Sequence, residues 1–135
     1  MTGGAAELQG AIFSLLTGDA TLIALLGGAK VFDHAPANAQ FPYVSLGRMS
    51  SFDWSTATEG GCEHLLTIHA WSKGRGKKEV LALMDRARFL LDEAPLTLAG
   101  HTLVALRLEG TDARYDEDAG AYHGLLRLRA VTEPT

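Results

Sequence analysis

Apolar residues recur at helical spacing in the first stretch of the chain, where Leu8, Ile12, Leu15 and Leu16 fall on one stripe and predict a helix from Ala5 to Leu16. Gly18 ends that helix, and Asp19 caps a second short one from Ala20 to Leu26, which the pair Gly27-Gly28 stops. The period then changes to two. A short strand is expected at Val31 to His34, a loop at Pro36 to Pro42, and a long hairpin from strands Tyr43 to Trp54 and Cys62 to Ser72 around the turn Ser55 to Gly61. Val44 and Leu46 share one face of the first strand; His64, Leu66, Ile68 and Ala70 share one face of the second. Each strand is about twice the usual length, and the distal half is polar (Ser50, Ser51, Asp53, Ser55, Thr56, Thr58, Glu59, Glu63). The segment Ser50 to Glu63 therefore reads as an arm reaching beyond the core.

The strongest helical pattern runs from Lys77 to Glu93, with Val80, Leu83, Met84, Ala87, Leu90 and Leu91 as its apolar stripe and Pro95 as its stop. A short strand at Leu96 to Leu98, a Gly100 turn, a strand from Thr102 to Glu109, a turn at Asp116 to Gly120 and a last strand from Tyr122 to Val131 complete the order. In that last hairpin Thr102, Val104, Leu106 and Leu108 alternate with His101, Leu103, Ala105, Arg107 and Glu109, while Arg127 and Arg129 alternate with Leu126, Leu128 and Ala130. One face is apolar and the other charged, which fits a solvent face or one that meets a neighbouring subunit. The fold class expected is α+β: an antiparallel sheet with a long β-hairpin arm, one main helix packed across it and two short N-terminal helices, all in one domain spanning residues 1–135.

Composition narrows the function. The chain of 135 residues is 47% hydrophobic and 21% charged, with net charge −4. That balance suits a globular protein and disfavours a free-standing DNA binder, which needs a basic surplus. The lone Cys62 permits no internal disulfide. The N-terminal residues lack the charged and apolar regions of a signal peptide, and the longest apolar run, Leu22 to Leu26, is far too short for a bilayer, so no membrane partner and assembly in the cytoplasm are expected.

No catalytic, metal or cofactor signature emerges, and none of these sites is expected. Lys73-Gly74-Arg75-Gly76-Lys77-Lys78 has the wrong glycine spacing for a phosphate loop and Lys78 where a magnesium-binding hydroxyl belongs. Positive charge at a helix N-terminus opposes the macrodipole, so Lys73, Arg75, Lys77 and Lys78 mark either a solvated loop or a site with an acidic partner surface or DNA backbone nearby. Cys62 and His64 lie on one strand face and His69 on the other, a poor start for zinc. Asp116, Glu117 and Asp118 lack the calcium-loop pattern and fit a hairpin turn. No nucleophile elbow is present. Phe52 and Trp54, placed among polar residues near the arm tip, either anchor a partner or fold back and become buried.

The ordered set of short motifs has a familiar pattern. Leu-Leu-x-Gly-Asp-Ala-x-Leu (Leu15 to Leu22) is followed by Lys30-Val31-Phe32-Asp33, by Pro-Tyr-Val-x-Leu-Gly (Pro42 to Gly47) and by Asp53-Trp54-Ser55-Thr56. Then come Glu-His-x-Leu-Thr-Ile-His-x-Trp-Ser (Glu63 to Ser72), Gly74-Arg75-Gly76-Lys77-Lys78-Glu79, and Tyr-His-Gly-x-Leu-Arg-x-Arg-Ala (Tyr122 to Ala130). Over nearly its whole length the chain resembles the tail-completion or tail-terminator family of long-tailed phages and phage-like gene transfer agents. The resemblance implies a structural virion protein without cofactors that forms a ring, usually a hexamer, at the head-proximal end of the tail. Such a ring stops tube polymerisation and docks to the head-side connector or stopper protein, while DNA passes through without specific recognition. Its implied partners are further copies of itself, the tail tube protein and the connector. Phe52, Trp54, Lys73, Arg75, Lys77, Lys78, Arg107, Arg127 and Arg129 are the candidate interface residues. A head-tail adaptor, a minor tail-tube protein, and an enzyme subunit whose site is assembled across chains are the other readings.

Overall fold

The structure is a computed structural model that describes residues 3–57 and 59–135; Thr58, one of the polar residues expected on the arm, lies outside them. The elements run α1 (Ala5–Thr17), α2 (Ala20–Leu26), β1 (Val31–Phe32), β2 (Tyr43–Asp53), β3 (Cys62–Ser72), α3 (Lys78–Leu91), β4 (His101–Asp116) and β5 (Ala121–Pro134). The strands form one sheet in the order β1-β2-β3-β5-β4, antiparallel except for the β1–β2 pair, which makes the fold α+β as expected.

The helices of the described residues pack on one face of this sheet; the other face is largely open, although Val131 on it is buried. The period of two in β3 puts His64, Leu66, Ile68, Ala70 and Ser72 under the helices and Leu65, Thr67, His69 and Trp71 on the open side. From α3, Val80, Leu83, Met84, Ala87 and Leu91 are buried, and Leu90 lies partly buried against the same core. Gly124 of β5 makes this closeness possible, because a Cβ there would overlap Met84 Sδ and crowd Val80.

Helix ends follow local chemistry. Asp19 accepts a hydrogen bond from Leu22 N (2.8 Å) as the cap of α2 and receives two from the Arg86 guanidinium (2.7 and 2.8 Å), which ties α2 to α3. The helix α3 ends at Leu91 and not at Pro95: Glu93 adopts a left-handed conformation (φ 60°) and its N–H donates to Leu106 O (2.8 Å). Asp92 Oδ1 also accepts from Leu108 N (2.8 Å), so the segment after the helix is stitched to β4.

Three expectations are corrected. The long hairpin is present, but the segment expected to project from Ser50 to Glu63 is held in the sheet up to Asp53 and again from Cys62. There β3 pairs with β5 from Cys62↔Thr132 to Ser72↔Tyr122, so of the described residues only 54–57 and 59–61 lie outside the two strands. The strand expected at Leu96 to Leu98 is reduced to a single bridge, Leu98↔His101. The strand expected at Thr102 to Glu109 continues to Asp116, with irregularities between Leu103 and Ala105 and between Leu108 and Gly110. The first adds a residue at Val104, which breaks the alternation: Leu103 turns to the core, and Val104, expected on the apolar face, is 51% exposed.

Candidate assembly surfaces

The candidate residues separate into two surfaces. At the Ser72 end of β3, the basic loop is shaped by Ser72, whose hydroxyl donates to Glu79 Oε1 and accepts from Gly74 N (3.0 Å). Gly76 supplies a left-handed turn (φ 76°) into α3. Lys73 Nζ sits 4.7 Å from the Phe41 ring centroid, while Arg75, Lys77 and Lys78 are exposed. With no side-chain cap at Lys77, the cations stand at a bare helix start.

The second surface is the open sheet face. The register lays Phe52, Glu63 and Val131 side by side across β2, β3 and β5. Phe52 and Trp54 are 50% and 53% exposed, so the tip does not fold back over them. Arg129 donates from Nε to Glu63 and places its guanidinium 5.8 Å from the Trp54 ring centroid. The structure thus brings Trp54 and Arg129 together through Glu63, a residue without a role in the sequence reading. Arg107 stands opposite Arg129 in the β4–β5 pair. Like charges so placed repel, and the Glu63 carboxylate offsets this. The same face carries a groove of about 340 Å³ lined by Arg48, Ser50, Phe52, Leu65, Glu109 and Arg127 among others.

Toward the Ser72 end the same face carries a cluster that sequence reasoning missed. His69 Nδ1 and His123 Nε2 are 2.7 Å apart, and Trp71 stacks on His123 with ring centroids 4.1 Å apart and planes within 10°. Gly47 makes room, since a Cβ there would overlap His69 and Thr67. Burial lowers the pKa of both histidines, and for His123 the neighbouring His69 and Arg114 lower it further against Asp116 and Asp112. The signal was available: positions 69 and 71 share strand parity, but only the β3–β5 register reveals position 123 beside them.

On the helix side, His64 is fully buried in a chain of hydrogen bonds. Thr132 Oγ1 donates to Gly3 O (2.7 Å), so it accepts from His64 Nε2 (2.9 Å), and His64 Nδ1 accepts from Ser51 Oγ (2.8 Å). That assignment makes His64 neutral, in line with its pKa lowered chiefly by burial. His64 and His69 point to opposite faces, and among the described residues no three His, Cys, Asp or Glu side chains converge as metal ligands would. No single helix is long and apolar enough to cross a membrane.

Two extended surfaces on one small two-layer fold suit assembly better than turnover. Residues 10–133 match the family described as tail completion protein gp17. The chain belongs to that family. It is 29% identical to the tail completion protein gp17 of Bacillus phage SPP1 over 89 residues, which span 66% of each protein. Among solved structures, a chain from the virion of a native gene transfer agent particle superposes with a TM-score of 0.89 at 31% identity, covering 98% of this chain and 99% of that one. The bacteriophage SPP1 gp17 structure superposes at 0.66 with 25% identity, covering 93% and 88%. Family membership gives the chain a structural role in tail assembly of a phage-like virion.

Proposed function

We propose that this protein, acting as one domain, closes a phage-type tail tube as a ring, with six copies as the expected number, at the end that meets the head. The observation that carries the reading is the match along nearly the whole chain to a component of an assembled gene transfer agent virion. The ring stops tube growth by matching the exposed face of the last tube ring on one side without offering that face again on the other. The head-side connector or stopper docks to the second side, and DNA passes through the hole without sequence readout. Assembly takes place in the host cytoplasm, and the role is structural, without catalysis.

Two chemically different surfaces on one chain are the candidates for these contacts and for those between copies. The basic loop with Lys73, Arg75, Lys77 and Lys78 lies at one end of the sheet, whereas Phe52, Trp54, Arg107, Arg127 and Arg129 lie on its open face. Electron microscopy of the purified protein mixed with isolated tail tubes tests the reading. A ring of uniform size seated on one end of each tube is expected. Protein distributed along the tube, or bound to connectors and never to tubes, would contradict it in favour of a minor tube protein or an adaptor.

A further inference from the structure

The open sheet face is built from one kind of cation. The strands β2 to β5 carry Arg48, Arg107, Arg114, Arg127 and Arg129 on it and contain no lysine, although the chain has lysines in its loops. Arginine with exposed aromatic and aliphatic residues is the composition of protein–protein contact centres; lysine is depleted there. The groove on this face has an apolar floor, with Phe52 50% and Leu65 39% exposed, and its walls hold the guanidiniums of Arg48 and Arg127. Neither arginine makes an ion pair among the described residues. Glu109 also lines the groove, yet it lies beyond ion-pair distance of both. A fitting ligand is therefore an apolar or aromatic group flanked by carboxylates, since guanidinium and carboxylate pair through two parallel hydrogen bonds in a partly dry site.

The chain itself carries such a group. At the β4–β5 turn Tyr115 is 49% exposed, held edge-on against Tyr122 (ring centroids 5.1 Å apart), and Glu117 and Asp118 follow it, exposed and without an ion pair among the described residues. Gly120 (φ 62°) and the hydrogen bond from Ala119 N to Asp116 Oδ1 (3.1 Å) fix the turn. It cannot reach the groove of its own chain. The hairpin stays paired to Asp116↔Ala121, and six residue steps along the strand, about 20 Å, separate Ala121 from Arg127. The basic loop is a poorer receptor. It lies at the same end of the sheet as the turn, whereas a head-to-tail contact needs two separated surfaces.

We propose that the turn bearing Tyr115, Glu117 and Asp118 of one copy docks in the Arg48–Arg127 groove of the next. This rests on the ring reading and supplies its subunit contact. Groove and turn are different surfaces, so the contact is heterologous, and a rotation between copies that closes gives a ring.

A charge-swap experiment tests it. One variant carries R48E and R127E, the other E117R and D118R; the four positions are exposed, so both variants should melt like the parent. Ring formation is read by native mass spectrometry and by electron microscopy on isolated tail tubes. The parent should form rings, each variant alone should lose them, and an equimolar mixture should regain rings with the two variants alternating in even number. Rings from either variant alone, or none from the mixture, would overturn the groove contact while leaving the ring reading intact. A parent that forms no ring, alone or on tubes, would overturn both.

Discussion

Asp19 joins two levels of the structure through one carboxylate, because it caps α2 and pairs with Arg86 of α3. Arg86 is the main cause of its lowered pKa. Replacing Asp19 with Ala removes the cap, worth about 1 kcal/mol, and leaves Arg86 without its partner. A melting-temperature drop of roughly 4 °C, read by circular dichroism, is expected for a chain of this size. The stability Asp19 contributes is present above the ordinary carboxylate pKa and fades as pH falls through its lowered folded value. The histidines act over a higher window. His64, His69 and His123 are held neutral, with folded pKa values below that of the unfolded chain. Unfolding therefore takes up protons once pH falls below about 6.5, and stability declines from there. Thermal melts from pH 7.5 down to 5 should show that decline, and replacing His69 and His123 with Gln should flatten it. An unchanged slope would place the dependence elsewhere. Of these residues the cap at Asp19 was legible in the sequence, from its place between a helix-ending glycine and an apolar run. Its Arg86 partner, 67 residues away, was not, since only packing of α2 on α3 brings them together.

The helix α3 was legible because its apolar stripe is long and interrupted by charge at the right period, and Leu83 sits at the centre of the face it buries. A Leu83→Asp change places an unpaired charge in that core and should cost more than about 4 kcal/mol, leaving no cooperative melt. Gly124→Val should cost about 1–3 kcal/mol by forcing α3 away from β5 at Met84 and Val80, measured by urea denaturation. The long hairpin was legible as two strands, but not its setting. A strand's polarity does not say which neighbour lies beside it, and β5 pairs along the whole of β3. The polar residues taken for a free arm are in part an inner seam, since Ser51 serves the buried His64. The bulge at Val104 was invisible for a similar reason: the sequence alternates without a break there, and the extra residue exists only relative to β5. Phe52 and Trp54 remain on the open face, so replacing both with Ser should leave the melting curve near that of the parent and weaken ring formation on tail tubes.

At the scale of the whole molecule, a sheet covered on one side only leaves its other face for contacts. Helix-side residues such as Leu8, Ile12, Leu22 and Leu83 form the buried core, and the open face carries arginines, aromatics and Leu65. Charge and composition pointed away from nucleic acid binding and offered no catalytic constellation, but they do not encode a ring. The order of motifs along the chain carried the family, and the sheet register determines which of the candidate residues share a surface. Termination of the tail tube is tested most directly by deletion of the gene. Electron microscopy of the particles should show tails of uncontrolled length, or tails never joined to heads, while heads still fill with DNA. Tails of normal length joined to filled heads in the deletion strain would contradict it.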